Sequence, residues 1–443
     1  MPSPVSNLNW QQLLKSGNRI FIGSHAAVPT LLIDDLIANA KSLHDIEIVQ
    51  LVTLSDNKWA RPEFQHRFKV NTFFIGGNTV RQAVAEGRAD YTPCFMTDIP
   101  ALFTDGVLPL DAALIMVSPA DEHGYHSLGV AVDVIAAAAK AAKTVIAQVN
   151  PAMPITYGQS FIHKEDIDAF FYAEQALPEV QPTELDPRTE RIGQYVSLLV
   201  EDGATIQLGV GKICEAVTRY LSNHKDLGLH TELMTDGVLE LIKKGVINNR
   251  RKTFHPGKSV TSFCIGTKQL YDFVHQNPHI GFYPSEYVNS PSNIARNERM
   301  VSINSAIEVD LTGQVVSDSI GHQFYSGVGG QVDFSRGASM SNGGKPIIAL
   351  PSTAKSGSIS RIVPHIREGA GVVTSRAHVH YVVTEFGVAS LRGKSIRERA
   401  LELIRVAHPK FRNQLLAEVR KHYWVPHYQV QTPVEVPELG PVG

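Results

Sequence analysis

Residues 204–221 read ATIQLGVGKICEAVTRYL. The apolar run at Ile206 to Leu208 suits a strand, and Gly209-Val210-Gly211 breaks it. Beyond the break Ile213, Val217, Tyr220 and Leu221 recur at helical spacing on one face. Strand, glycine turn and amphipathic helix form one α/β unit of the kind that builds parallel sheets. Residues 132–150, VDVIAAAAKAAKTVIAQVN, repeat the theme as an Ala-rich helix leading into a strand at Thr144 to Val149.

Working outward, the segment ALPEVQPTELDPRTERIGQ separates two such series. It carries Pro178, Pro182 and Pro187 and is the natural linker. Asp186 followed by Pro187 is a helix cap and first helical residue. The two halves echo one another in the same order. Ile20-Phe-Ile-Gly23 matches Ile206-Gln-Leu-Gly209, Asp121-x-x-Gly124 matches Asp310-x-x-Gly313, and Lys143-Thr-Val-Ile-Ala matches Lys345-Pro-Ile-Ile-Ala. Each match alone is what any strand end looks like; their common order predicts two similar α/β domains in tandem, 1–185 and 186–443, each around a mostly parallel sheet. The Pro-rich tail VPHYQVQTPVEVPELGPVG is expected to lie extended on the surface.

At 443 residues the chain exceeds one ordinary core and suits two domains. A net charge of −2 gives no global pull toward nucleic acid or anionic membrane, so an anionic ligand needs a local site. Cys94, Cys214 and Cys264 are odd in number and far apart, which argues against a disulfide framework and fits a reducing cytoplasm. The start MPSPVSNLNWQQLLKSGNR has no signal-peptide pattern. No apolar run reaches the ~18 residues of a membrane span; even VAVDVIAAAA is interrupted by Asp133.

Two glutamates stand out, Glu232 in LHTELMTDGVLELI and Glu286 in YPSEYVNSPSNIARN. Glu232 follows a short apolar stretch and precedes Asp236-Gly237. That suits a strand end facing a cleft, where open α/β sheets bind ligands. A carboxylate there can attack a thioester and form a covalent intermediate; the plain alternative is a solvated or salt-bridged glutamate. Acyl transfer also needs backbone N–H groups near the developing oxyanion. Ser326-Gly-Val-Gly-Gly-Gln331 offers them through Gly327, Gly329 and Gly330, where the main chain can approach a ligand closely. Gly209, Val210, Gly211 and Lys212 lie at a strand-to-helix turn, where free N–H groups favour an anion such as a phosphate. Tight packing and a surface turn explain the same two glycine clusters without a ligand. Lys355, in Pro351-Ser-Thr-Ala-Lys-Ser-Gly357, is either a cation for a ligand phosphate or carboxylate, or a solvated lysine.

His123, His126 and His25 lack a HExxH spacing and read as loop or pocket histidines, so no metal site is expected. The chain has neither GxxxxGK[ST] nor a full GxGxxG after a strand, which sets ATP and NAD chemistry aside.

Taken jointly, GSHAAVPTLL (23–32), VSPADEHGYHSLG (117–129), AIEVDLTGQV (306–315), YSGVGGQVDFSRGA (325–338), PSTAKSGSISRIVP (351–364) and VVTEFGVASLRGKS (382–395) resemble the acetyl-CoA hydrolase/transferase family. Within it the chain is similar to the bacterial 4-hydroxybutyrate and butyrate CoA-transferases. The resemblance implies two tandem domains of the CoA-transferase type and a homo-oligomer, dimer or higher. It implies acyl-CoA and short-chain carboxylates as substrates, with no tightly bound cofactor. It maps the nucleophile to Glu232 in HTELMTDG and a residue near the reacting carbonyl to Asn289 in YVNSP. CoA binding maps to Gly209, Val210, Gly211 and Lys212 in QLGVGKI, to Gly327, Gly329 and Gly330 in SGVGGQ, and to Lys355 in PSTAK. Glu286 is the fallback nucleophile, and Met234, Tyr287 and Gln331 are candidates for shaping the acyl pocket. Hydrolysis of acyl-CoA and non-catalytic CoA binding are the rival readings.

Overall fold

In the computed structural model residues 8–422 are described. The expected extended tail therefore lies outside the described residues.

The first half builds a seven-stranded, wholly parallel sheet. Its spatial order is Ala169–Tyr172, Thr144–Val149, Ala112–Val117, Arg19–Ile22, Ile46–Gln50, Phe68–Thr72, Ala89–Tyr91. Every residue of the strand Ala112–Val117 is buried, as a strand covered on both faces requires. The second half builds a six-stranded sheet in the order Gly228–Leu229, Thr205–Leu208, Met300–Ser305, Lys345–Ala349, Tyr381–Thr384, Gly387–Ser390. Only the last strand runs antiparallel.

The repeat suspected from sequence has a topological counterpart. Ile20 and Ile206 lie on the strand where each sheet reverses its order, and Lys345 begins the second-sheet strand equivalent to Thr144–Val149. The paired Asp-x-x-Gly turns fold alike. Asp121 Oδ1 accepts from the N–H groups of His123 and Tyr125, each at 2.9 Å. Asp310 Oδ1 accepts from those of Thr312 and Gln314, again at 2.9 Å. A carboxylate that satisfies two turn N–H groups holds the same loop after the equivalent strand in both halves.

Local signals set the junction between the sheets. The helix Pro187–Ser197 starts on Asp186, whose side chain accepts from the N–H groups of Arg188 and Thr189; such a cap contributes about 1 kcal/mol. The helix Lys212–Tyr220 buries Ile213, Cys214, Ala216 and Val217 against the second sheet. One apolar cluster then runs through both halves, from Phe21 and Ile115 to Val217, Phe263 and Val383. The halves therefore pack as one body around a shared seam, and the carboxyl ends of the central strands of the second sheet open onto it.

Candidate active site

The second sheet changes direction between Thr205–Leu208 and Met300–Ser305. Open α/β sheets bind ligands in the crevice outside the carboxyl ends of the strands at that point. A cleft of about 260 Å³ lies there, lined among others by Gly209, Glu232, Asn304, Gly327, Gly330 and Gln331. A larger cavity of about 580 Å³ is lined by Gly211, Lys212, Arg219, Thr235, Asp236 and Lys244. Leu208, Gly209, Val210 and Leu233 border both, so the two form one channel.

Glu232 follows the strand Gly228–Leu229 and immediately precedes the short strand Leu233–Met234. Its carbonyl accepts from the N–H groups of Ser262 and Phe263 and from Thr261 Oγ1, at 3.0, 3.1 and 3.0 Å. Three donors fix the backbone, and the side chain faces the cleft. Asn289 Nδ2 donates to Glu232 Oε2 at 2.6 Å. Asn289 is itself fully buried, at the end of the turn of helix Ser285–Val288. Burial pushes the Glu232 carboxyl up to about 7, the Asn289 hydrogen bond pulls it down, and the like charge of Asp133 raises it further. A carboxylate with little water and one neutral donor keeps its nucleophilicity.

The glycine loop closes the other side. Gly330 precedes the helix Gln331–Met340. A Cβ on Gly330 would overlap Glu232 Oε2 and Asn289 Nδ2, so only glycine lets the main chain lie against the carboxylate. The first N–H groups of that helix have no carbonyl one turn back and point toward the cleft end, where negative charge is favoured. The amino-terminal half pins the loop. Ile75 N–H donates to Ser326 O at 3.3 Å, Met96 N–H donates to Gly329 O at 3.1 Å, and a Cβ on Gly327 would collide with Phe73 O and Phe74. Gly329 has φ +56°, in the left-handed region.

Gly209, Val210, Gly211 and Lys212 sit at the seam between cleft and cavity. Gly211 has φ +114° and precedes the helix Lys212–Tyr220 with no side-chain cap, leaving its first N–H groups for a ligand. Val210 is 65% exposed, an apolar face offered to whatever threads the channel.

The remaining sequence candidates are dispersed. Lys355 is exposed, has φ +46° in the turn joining Thr353–Ala354 to Ile359–Ser360, and lines neither cleft nor cavity. Glu286 is exposed and lines neither. Gln331 lines the cleft and bonds Ser317 Oγ and Ser305 O at 2.8 and 2.6 Å. Met234 is buried and Tyr287 Oη lies 2.7 Å from His255 Nε2; neither residue lines the cleft or the cavity. His25 is buried, stacked on Phe263 at 3.6 Å, and burial lowers its imidazole to about 3. Among the described residues one trio has metal-ligand chemistry, His365, Glu418 and His422, with donor atoms within 4.8 Å of one another, and it lies outside the channel.

Sequence reasoning missed two acids. Asp133 is fully buried, accepts from Ser24 Oγ at 2.5 Å and from the Ile135 N–H at 3.1 Å, and is pushed up to about 6 by burial. Its signal was a charge inside an otherwise apolar run. Asp333, in the first turn of helix Gln331–Met340, is 3% exposed and pushed up to about 8, by burial first and then by Glu232. It sits beside the glycine loop in sequence, which gave no hint of its partners.

Comparison with known proteins follows the same outline. Residues 6–180 match the model of the acetyl-CoA hydrolase/transferase N-terminal domain, and residues 266–419 that of its C-terminal domain. The 4-hydroxybutyrate coenzyme A transferase of Clostridium kluyveri is 50% identical over 93% of this chain and 95% of its own. The succinyl-CoA:cyclohexane-1-carboxylate CoA transferase of Geobacter metallireducens is 44% identical over 92% and 93%. The crystal structure of a 4-hydroxybutyrate CoA-transferase from Porphyromonas gingivalis superposes with a TM-score of 0.80 at 41% identity, covering 93% of this chain and 95% of that one.

Proposed function

The chain belongs to the acetyl-CoA hydrolase/transferase family and is a CoA-transferase, and on that premise we propose that it exchanges CoA between an acyl-CoA and a free carboxylate through a thioester on Glu232. Acetyl-CoA or acetate is proposed as one substrate, with 4-hydroxybutyrate or another short-chain acid as the second. The observation that carries the reading is the carboxylate of Glu232 held by Asn289 at 2.6 Å against the bare backbone of Gly330.

The CoA portion is proposed to occupy the channel past Gly209, Val210, Gly211 and Lys212, its anionic groups near the start of helix Lys212–Tyr220 and its thioester beside Glu232. Glu232 attacks the thioester carbonyl, the C–S bond breaks, and an acyl-glutamyl anhydride and CoA thiolate result. Charge developing on the oxygen faces the helix start at Gly330 and the Asn289 amide. The thiolate attacks the glutamyl carbonyl of the anhydride and expels the first carboxylate, leaving glutamyl-CoA. A second carboxylate runs the two steps in reverse. Protons balance throughout, since carboxylate replaces carboxylate and thiolate is consumed as it forms. Phe74, Leu208, Leu233 and Phe334 line the cleft and keep the anhydride dry.

The division at 185/186, a homo-oligomer, a cytoplasmic location and the absence of a tightly bound cofactor complete the proposal. Among the described residues no helix is long and apolar enough to cross a membrane. The reading is tested by isotope exchange. Labelled acetate should enter acetyl-CoA with no other acid present, as a ping-pong cycle demands, and Glu232→Gln should stop the exchange. Exchange that needs a second acid would contradict it. Release of free CoA without an acceptor acid, at the transfer rate, would favour hydrolysis.

A further inference from the structure

Asp333 is a buried acid that the cycle above does not use. It reaches two partners from different parts of the chain. Its Oδ2 accepts from the Thr97 N–H at 3.2 Å, a backbone group of the amino-terminal half. The same oxygen lies 3.4 Å from Asn289 Nδ2, the amide nitrogen that bonds Glu232. An unbroken chain of contacts thus runs from Thr97 through Asp333 and Asn289 to Glu232. The segment around Thr97 is the one that pins the glycine loop, since Met96 N–H bonds Gly329 O.

Resting on the reading of Glu232 as nucleophile, we propose that Asp333 is a positioning residue: it ties the Asn289 amide, and through it Glu232, to the amino-terminal half, and does so in its protonated form. The chemistry favours that form. Asn289 has one NH₂ group between two carboxyls, and two anions sharing one amide in a buried site repel. While Asp333 is neutral, the amide serves Glu232. Once Asp333 ionises, a second negative charge appears beside the nucleophile and competes for its donor. The charged and titratable groups that bear on Asp333 are Glu232 and Asp98, both of like sign, with Cys94 close by. Burial raises both acids and the Glu232 charge raises Asp333 further, so ionising Glu232 holds the proton on Asp333 and opens a window in which one is charged and the other is not. The two titrate as a pair, and the window is a property of both.

The test is the rate of enzyme–CoA adduct formation from acetyl-CoA, followed by intact mass from pH 6 to 9.5, on the full chain and on Asp333→Asn and Asp333→Ser. In the parent the rate should climb as Glu232 ionises and fall roughly tenfold from its maximum by pH 9, a one-proton limb. Asp333→Asn cannot ionise and should keep the rising limb and lose the falling one. Asp333→Ser is small enough to fold around a water; it should also lose the falling limb, with a lower kcat and little change in KM for acetyl-CoA. A falling limb of unchanged position and depth in either folded variant would overturn the proposal while leaving Glu232 as nucleophile. No adduct in the parent at any pH would sink the Glu232 reading itself, and this one with it.

Discussion

Asn289 Nδ2 meets Glu232 Oε2 at 2.6 Å although 57 residues separate them. The amide is buried and the carboxylate is recessed, so the contact is specific rather than incidental. Asn289→Ala should leave Glu232 in place without its donor. Adduct formation and kcat should fall roughly 100-fold, the scale of losing one oxyanion donor, with KM for acyl-CoA changed little. A raised KM with kcat unchanged would instead mark Asn289 as a binding residue.

Gly330→Ala is a sharper probe of the same geometry. Gly330 has φ −94°, which alanine adopts freely, so the chain should fold. Its new Cβ would occupy the space of Glu232 Oε2 and Asn289 Nδ2. Thermal unfolding should shift by a few degrees at most, while adduct formation should drop by roughly 100-fold or more. An active Gly330→Ala would show that the loop stands further from the Glu232 carboxylate than this geometry has it.

The recessed Glu232 acid should also leave a mark on stability. Glu232 rises from 4.5 to about 7 on folding, so its contribution is fully present below pH 4.5 and is lost as pH climbs through 7. Glu232→Gln removes that loss. The variant should match the parent in unfolding free energy near pH 4.5 and exceed it above pH 7, by an amount on the order of 2 kcal/mol. Melting curves at pH 4.5, 6 and 8 check it, and a difference independent of pH would refute it. Buried active-site acids often cost stability in this way.

Lys212 begins the helix Lys212–Tyr220 at the mouth of the channel. Lys212→Ala should raise KM for acetyl-CoA severalfold and leave KM for the acid unchanged, because only the CoA carries phosphates. The gap between parent and variant should narrow as salt is added, since exposed charge is screened. Initial-rate kinetics at 20 and 300 mM salt decide the matter.

Much of this arrangement was legible in the sequence. The unit at 204–221 folds as its periodicity indicates, Asp186 caps the helix Pro187–Ser197, and the tandem echo reappears as equivalent strands with matching Asp-x-x-Gly turns. These features are local, fixed by propensity and by side chains reaching two to four residues. Glu232 and Gly330 stood out in the local sequence and Asn289 through motif resemblance, yet their convergence depends on three segments meeting outside the carboxyl ends of the strands. Asp333 and Asp133 were invisible as site residues for the same reason: Thr97, Asn289 and Ser24, which bond them, lie 236, 44 and 109 positions away. Lys355 stands apart from them. Its small polar loop reads as a ligand loop in the sequence, and in the structure it is a hairpin turn that lines neither cleft nor cavity.

The most direct test of the central claim is intact-protein mass spectrometry after mixing with acetyl-CoA, on the parent and on Glu232→Gln, with borohydride trapping and peptide mapping. The parent should gain the mass of a CoA thioester, the reduced product should map to Glu232, and Glu232→Gln should gain nothing. A CoA adduct on another residue, or one that persists in Glu232→Gln, would contradict the account.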